Sequence, residues 1–272
     1  MRINNNITAF NAYRNLNDTN MHLGKSLEKL SSGFRINRAA DDAAGLTRSE
    51  SLRAEINGTR QATRNAQDGV SFVQTTEGAL NEVHAILQRM RTLAVDAANT
   101  AVTDGVAQQA EVDELLAELD AIGSRTTFAG NQVFQDYSTS NLTFQVGANE
   151  TAANQLQLDD NLAMSSASVF GSNVSGVDLT TAATTAISTL DAAISSVSST
   201  RSTLGASQNR LEHTIANLQV AQENLMASES RIRDTDMADE MVNFTRRQIM
   251  TQAGTSMLAQ ANQAPQSVLS LL

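Results

Sequence analysis

The chain has 272 residues, with 19 basic against 29 acidic side chains for a formal charge of −10, and it contains no cysteine. These figures exclude a disulfide scaffold, a thiolate metal site and a cysteine nucleophile, and they argue against non-specific nucleic-acid binding, which needs a basic footprint. A single proline, where average usage of about 5% gives roughly 14, and 4% aromatic residues point to long unbroken helices with cores of Ala, Leu, Ile, Val and Met, and away from a sandwich of short strands.

The opening segment, MRINNNITAFNAYRNL, lacks the apolar central run of a cleaved signal peptide, so export by that route is not expected. No stretch is apolar for long enough to predict a membrane span. Ile3, Ile7, Phe10, Tyr13, Leu16, Leu23, Leu27, Leu30 and Phe34 keep spacings compatible with one stripe of an amphipathic helix, giving an N-terminal segment over 1–44. Asp41 and Asp42 lack the alternating acidic ligands and closing Glu of a calcium loop. They read instead as a helix start ahead of Leu46, where negative charge complements the positive end of the helix.

The next region reads as a helical rod over 45–235. Its first helix carries Leu52, Ile56, Ala66, Val70, Val73, Leu80 and Leu87 at alternating three- and four-residue steps, with Thr59, Thr63, Glu77 and His84 filling the ladder. A neighbouring ladder through Val83, Ile86, Met90, Leu93 and Ala97 widens the apolar face beyond a two-stranded seam. The polar stretch 99–105 predicts a turn. A third helix follows over about 104–124, with Val112, Leu115, Leu119 and Ile122 on one face.

Residues 126–180 are rich in Ser, Thr, Asn, Gln and Gly and have no helical period. Leu142, Phe144 and Val146 alternate, as do Leu156 and Leu158, which predicts a β-hairpin in an otherwise irregular segment. Beyond it the coiled-coil spacing is strongest, through Ala183, Ile187, Leu190, Ile194, Val197, Leu204, Leu211, Ile215, Leu218, Leu225 and Ile232, with Arg201, Gln208, Gln222 and Glu229 as polar interruptions. At about 1.5 Å per residue this helix is about 75 Å long and needs partner helices of similar length. The fold class is therefore mainly α: a long antiparallel helical bundle with a small β-hairpin region and terminal amphipathic helices.

Met237, Met241, Phe244, Met250, Ala253 and Met257 form a last amphipathic stripe, in a C-terminal segment over 236–272 that closes on Val268-Leu269-Ser270-Leu271-Leu272. Apolar stripes at both ends imply that the ends meet each other or meet other copies of the chain. Nothing in the sequence assembles a catalytic site. His22, His84 and His213 each stand alone, and Gly171 and Gly176 lack the following Lys and Ser/Thr of a phosphate loop. No enzyme activity, metal or cofactor is expected. The residues alone leave open a self-assembling subunit and a coiled-coil adaptor rod.

LSSGFRINRAADDAAGL over 30–46 resembles the N-terminal signature of bacterial flagellins, as do the opening segment, Gln67-Asp68-Gly69 and Glu77-Gly78-Ala79-Leu80. SESRIRDTDMADEMVNFTRRQIMTQAGTSMLAQANQAPQSVLSLL, from Ser228, resembles the C-terminal signature. Phe34 stands where Leu is usual and Ala40 where Gly is common. The resemblance covers roughly 1–130 and 180–272 and implies a minimal flagellin with a short central region.

From the resemblance follow several expectations. The chain is a structural subunit of the extracellular flagellar filament for swimming motility, exported unfolded through a type III pathway. Its partners are other copies of itself, a flagellar export chaperone, the filament cap and hook-associated junction proteins. A junction protein with flagellin-like ends is the alternative within this class. The terminal helices form the inner tube of the filament, with Ile3, Ile7, Phe10, Leu27, Leu30, Phe244, Met250, Met257, Leu271 and Leu272 packing between subunits. Gln88-Arg89-Met90-Arg91-Thr92-Leu93 and Gln109-Ala110-Glu111 resemble the family's contact motifs for a toll-like innate immune receptor, which implies a recognition site at Arg89, Leu93 and Glu111. The competing reading of the same residues puts Leu93 in the bundle core and makes Arg89 and Glu111 a surface ion pair.

Overall fold

A computed structural model describes residues 6–99, 105–135, 142–158, 164–165, 168–169, 174 and 177–269. Among these residues five helices dominate: α1 (Ile7–Ser32), α2 (Ala43–Ala97), α3 (Val106–Arg125), α4 (Ala183–Arg233) and α5 (Met237–Leu269). Among the described residues, six short strands, β1 (Thr127–Phe128), β2 (Asn131–Gln132), β3 (Leu142–Gln145), β4 (Gln155–Leu158), β5 (Met164–Ser165) and β6 (Ser168–Val169), form three two-stranded antiparallel sheets. The mainly α class expected from the coiled-coil spacing is the class observed. The chain divides into two compact units, 57–222 and the pair of segments 1–56 and 223–272.

In the 57–222 unit, α2 and α4 run antiparallel, with ion pairs Arg91–Asp191 at 2.6 Å and Arg201–Glu77 at 3.4 Å between them. α3 folds back along α2, with Gln108 donating to Asp96 at 2.7 Å. Leu80, Val83, Leu87, Met90, Val112, Leu119, Leu190, Val197 and Leu204 are sealed from solvent in one core. The predicted ladder in α4 is correct at every seventh residue: Leu190, Val197, Leu204 and Leu211 are buried. Between them the buried positions are Ala186, Ala193, Thr200 and Ser207, while Ile187 and Ile194 are only partly buried. Small side chains occupy these layers, and small side chains let helices approach closely, so the seam lies one residue earlier than the apolar pattern suggests. The polar interruption at Arg201 is answered by Glu77, itself a polar break in the α2 ladder.

The hairpin predicted from alternation is β3–β4, in the register Leu142↔Leu158 and Phe144↔Leu156. Val146 and Leu156 pack with Ala66 and Leu211 in a second small core. Gly69 permits this approach: a Cβ there would lie 3.2 Å from Leu211 and 3.3 Å from Phe144. The tight β1–β2 hairpin was not legible, because its strands are too short to alternate. Its turn uses Ala129 at φ 51° and Gly130 at φ 85°, the positive-φ pair of a two-residue hairpin turn. The predicted turn over 99–105 lies mostly outside the described residues, and Gly105 at its end adopts φ 75°.

Ahead of α4, Asp178 accepts from the amide and hydroxyl of Thr180 at 2.8 and 2.6 Å and from the hydroxyl of Thr181 at 2.6 Å. The Thr180 and Thr181 hydroxyls and then their amides pull its pKa down from 3.8 to about 2. A depressed carboxylate stabilises the folded state above its unfolded pKa, and that contribution disappears as pH falls through the folded value. Asp178→Asn is therefore expected to be less stable than the parent at pH 7, with the difference shrinking between about pH 4 and about pH 2. Circular dichroism melts across that range test this; a difference that persists unchanged at pH 2 would contradict it.

In the unit formed by 1–56 and 223–272, α1 and α5 lie antiparallel. Asn6 donates to the carbonyl of Ala261 at 2.7 Å, Lys29 reaches Glu240 at 3.9 Å, and Gly254 faces Leu16. The α1 seam is Ala9, Ala12, Leu16, Thr19, Leu23, Ser26 and Leu30, all at least partly buried, at alternating steps of three and four.

Candidate functional site

Two surfaces bear on function, and the first is the pair of terminal helices. The single stripe expected on α1 resolves into two. Leu16, Leu23 and Leu30 belong to the partly buried seam, whereas Ile7, Phe10, Tyr13, Met21 and Leu27 are exposed, Ile7 at 69% and Phe10 at 70%. α5 divides in the same way. Phe244, Arg247, Thr251, Gly254 and Leu258 are partly buried, and Val242, Ile249, Met250 and Met257 are exposed. Phe244 and Met250 are six residues apart, about 600° of helical turn at 3.6 residues per turn, so they point about 120° apart, Phe244 partly buried and Met250 exposed. Ile3, Leu271 and Leu272 lie outside the described residues.

A helix apolar on both sides fits burial on both sides. Each terminal helix uses one side against the other and leaves the second side open. The open face of α5 carries a groove of about 480 Å³ lined by Met241, Val242, Thr245, Arg246, Ile249 and Met250.

The two signature motifs meet in space. Gly33, at φ 76°, ends α1 by donating to Lys29. The chain then pairs with the α4–α5 connection: Phe34 bridges Asp234, the Arg35 amide donates to Arg233 at 2.6 Å, and Thr235 donates to Gly33 at 2.9 Å. The Arg233 guanidinium lies 4.9 Å over the Phe34 ring and 2.9 Å from Glu50. Ile36 is buried. Asp41 accepts from the amides of Arg38 and Asn37, which hold its carboxyl below the usual range with help from Lys25 and Lys29. Asp42 caps α2 by accepting from Gly45 at 2.9 Å. The acidic pair is thus a helix start, as its position ahead of Leu46 suggested.

The second surface lies where α3 folds along α2. Arg89 and Glu111, 22 positions apart in sequence, meet at 2.7 Å with both side chains substantially exposed. Leu93, one turn after Arg89, is only 7% exposed and belongs to the core. The structure therefore joins two of the three residues at the surface and places the third beneath them. Among the described residues, no three His, Cys, Asp or Glu side chains group to hold a metal, and no helix is long and apolar enough to cross a membrane.

The family profile described as the bacterial flagellin N-terminal helical region matches residues 3–139, and that of the C-terminal helical region matches 187–272. The chain is 47% identical over 303 residues to a flagellin of Bacillus subtilis (strain 168) and 50% identical over 277 residues to a flagellin of Halalkalibacterium halodurans, in both cases across 100% of both chains. It is 45% identical over 285 residues, again across 100% of both chains, to the flagellar filament 33 kDa core protein of Treponema phagedenis. The joint that unites the two signatures, the two-faced terminal helices and the full-length likeness agree: the chain belongs to the bacterial flagellin family, structural subunits of the extracellular flagellar filament and not enzymes.

Proposed function

We propose that the subunits polymerise through the open faces of α1 and α5, with 1–44 and 236–272 forming the inner tube and the rod over 45–235 surrounding it. The carrying observation is the second apolar face on each terminal helix: Ile7, Phe10 and Leu27 on α1, and Ile249, Met250 and Met257 on α5. Leu30 and Phe244 support the same contact from the α1–α5 seam side. Ile249→Asp is expected to leave the helix content of the single chain intact and to stop extension of filament seeds in electron microscopy. Normal filaments from that variant would count against the assigned face.

In this reading the subunit travels unfolded through a type III export channel, which a chain without cysteine passes free of cross-links. A flagellar export chaperone covers the open α5 face before assembly, and the filament cap and hook-associated junction proteins meet the same terminal helices at the ends of the polymer.

The receptor reading rests on the Arg89–Glu111 pair. A toll-like receptor would engage the exposed guanidinium, while Leu93 anchors the turn of α2 that presents it. The ion pair itself is worth under about 1 kcal/mol at such exposure, so its removal costs little fold stability. Folded Arg89→Ala monomer is expected to lose most receptor activation. Undiminished signalling would remove Arg89 from the site.

A further inference from the structure

The open α5 face is rich in thioethers. Met241 and Met250 flank the groove, and Met257 extends the same apolar surface, with exposures of 50%, 45% and 65%. The remaining apolar residues of the groove, Val242 and Ile249, resist mild oxidants. The chain has no cysteine and no tryptophan, so exposed methionine is its most readily oxidised side chain. Met90, by contrast, is sealed in the α2–α3–α4 core at 0% exposure.

We infer that Met241, Met250 and Met257 form a peroxide-sensitive site that controls whether a free subunit can assemble. This rests on the assembly role proposed for the α5 face. A sulfur lone pair attacks one peroxide oxygen, the O–O bond breaks and an S–O bond forms. The sulfur loses two electrons, and the peroxide is reduced to water. The product is a methionine sulfoxide, whose strongly polar oxygen sits on a surface that must leave water on assembly. Burying a polar group without a hydrogen-bond partner is unfavourable enough to slow or weaken association at least about tenfold. The change is reversible, because methionine sulfoxide reductases restore the thioether. Within a filament the same side chains are covered, so the sensitivity belongs to free folded subunits.

The test uses the full chain with hydrogen peroxide. Peptide mass spectrometry of the treated monomer is expected to find sulfoxide at Met241, Met250 and Met257 well before Met90. Oxidised monomer is expected to extend seeds at least about tenfold more slowly than untreated monomer, and reductase treatment is expected to restore the rate. Met21, Met226 and Met237 are exposed as well but do not line the groove, so a triple variant with Met241→Leu, Met250→Leu and Met257→Leu, which keeps volume and apolarity, is expected to extend seeds after peroxide as before it. Should that variant not extend seeds even untreated, the reductase arm on the parent chain decides. Oxidation of Met90 as fast as the three, full extension by oxidised parent protein, or retained peroxide sensitivity in the triple variant would each overturn the assignment. Untreated parent protein that does not extend seeds overturns the assembly reading, and with it the block. Untreated protein that extends seeds, with oxidised protein extending them equally, overturns the block alone.

Discussion

Deleting residues 1–30, or residues 243–272, is expected to leave soluble protein that does not extend filament seeds. Each deletion does two things. It removes one open apolar face, either Ile7, Phe10, Tyr13 and Leu27 or Ile249, Met250 and Met257. It also strips the remaining terminal helix of its antiparallel partner, whose contacts run from Asn6–Ala261 to Lys29–Glu240. At about 25 cal/mol per Å² of apolar area, the loss of a few hundred Å² per subunit amounts to several kcal/mol. Association also carries the entropic cost of fixing a subunit, so a deficit of that size is decisive. The 57–222 unit has its own core, from Phe72 and Leu80 to Leu190 and Leu204. Circular dichroism of the truncated chains is therefore expected to keep the helix signal of α3 and of the long central parts of α2 and α4. Long filaments from either truncation would refute the role given to the terminal helices.

Leu204→Ala is expected to destabilise the 57–222 unit by about 2–5 kcal/mol, the range for emptying a sealed leucine site. Leu204 is 0% exposed and packs in the main core. Its neighbours in the seam are Thr200 and Ser207, too small to fill the space it vacates. The spacing of this layer is fixed by two long helices, so the cavity cannot collapse without bending one of them. Ile249→Ala gives the opposite profile. Ile249 is 60% exposed, and its truncation is expected to change the stability of the single chain by within about 0.5 kcal/mol while weakening filament growth. Urea unfolding of the two variants, paired with seeded growth, separates the residues that fold the chain from those that join it to others. A Leu204→Ala protein as stable as the parent would show that this layer is loosely packed.

Much of this was written locally in the chain. The alternating three- and four-residue steps from Ala183 to Ile232 match α4, Ala183–Arg233, because helical period is a property of neighbouring residues. The alternation of Leu142, Phe144 and Val146 matched a real hairpin for the same reason. The signature over 30–46 carries its own local logic: a left-handed glycine stop at Gly33, a buried Ile36, and two aspartates that bind backbone amides and open the next helix. The β1–β2 hairpin escaped because two-residue strands have no period, and the Ala129-Gly130 turn was its only mark.

What the sequence determined by itself is the helical class, the extent of the long helices, the absence of a cysteine-based site and, through its two end motifs, the family. The tertiary structure alone decided which side of each helix faces which neighbour. Ile187 and Ile194 carry more apolar surface than Ala186 and Ala193, yet the alanines take the buried layers. On α1, Ala9, Ala12, Thr19 and Ser26 share the seam with three leucines, while Ile7, Phe10 and Leu27 face outward. Hydrophobicity reports how much a residue gains by leaving water, and it is blind to what covers it. Close helix packing selects small side chains that a hydrophobic pattern scores poorly, and a polymer's contact face selects large ones that a single chain leaves exposed. That division between seam and open face exists only once α1 and α5 lie side by side.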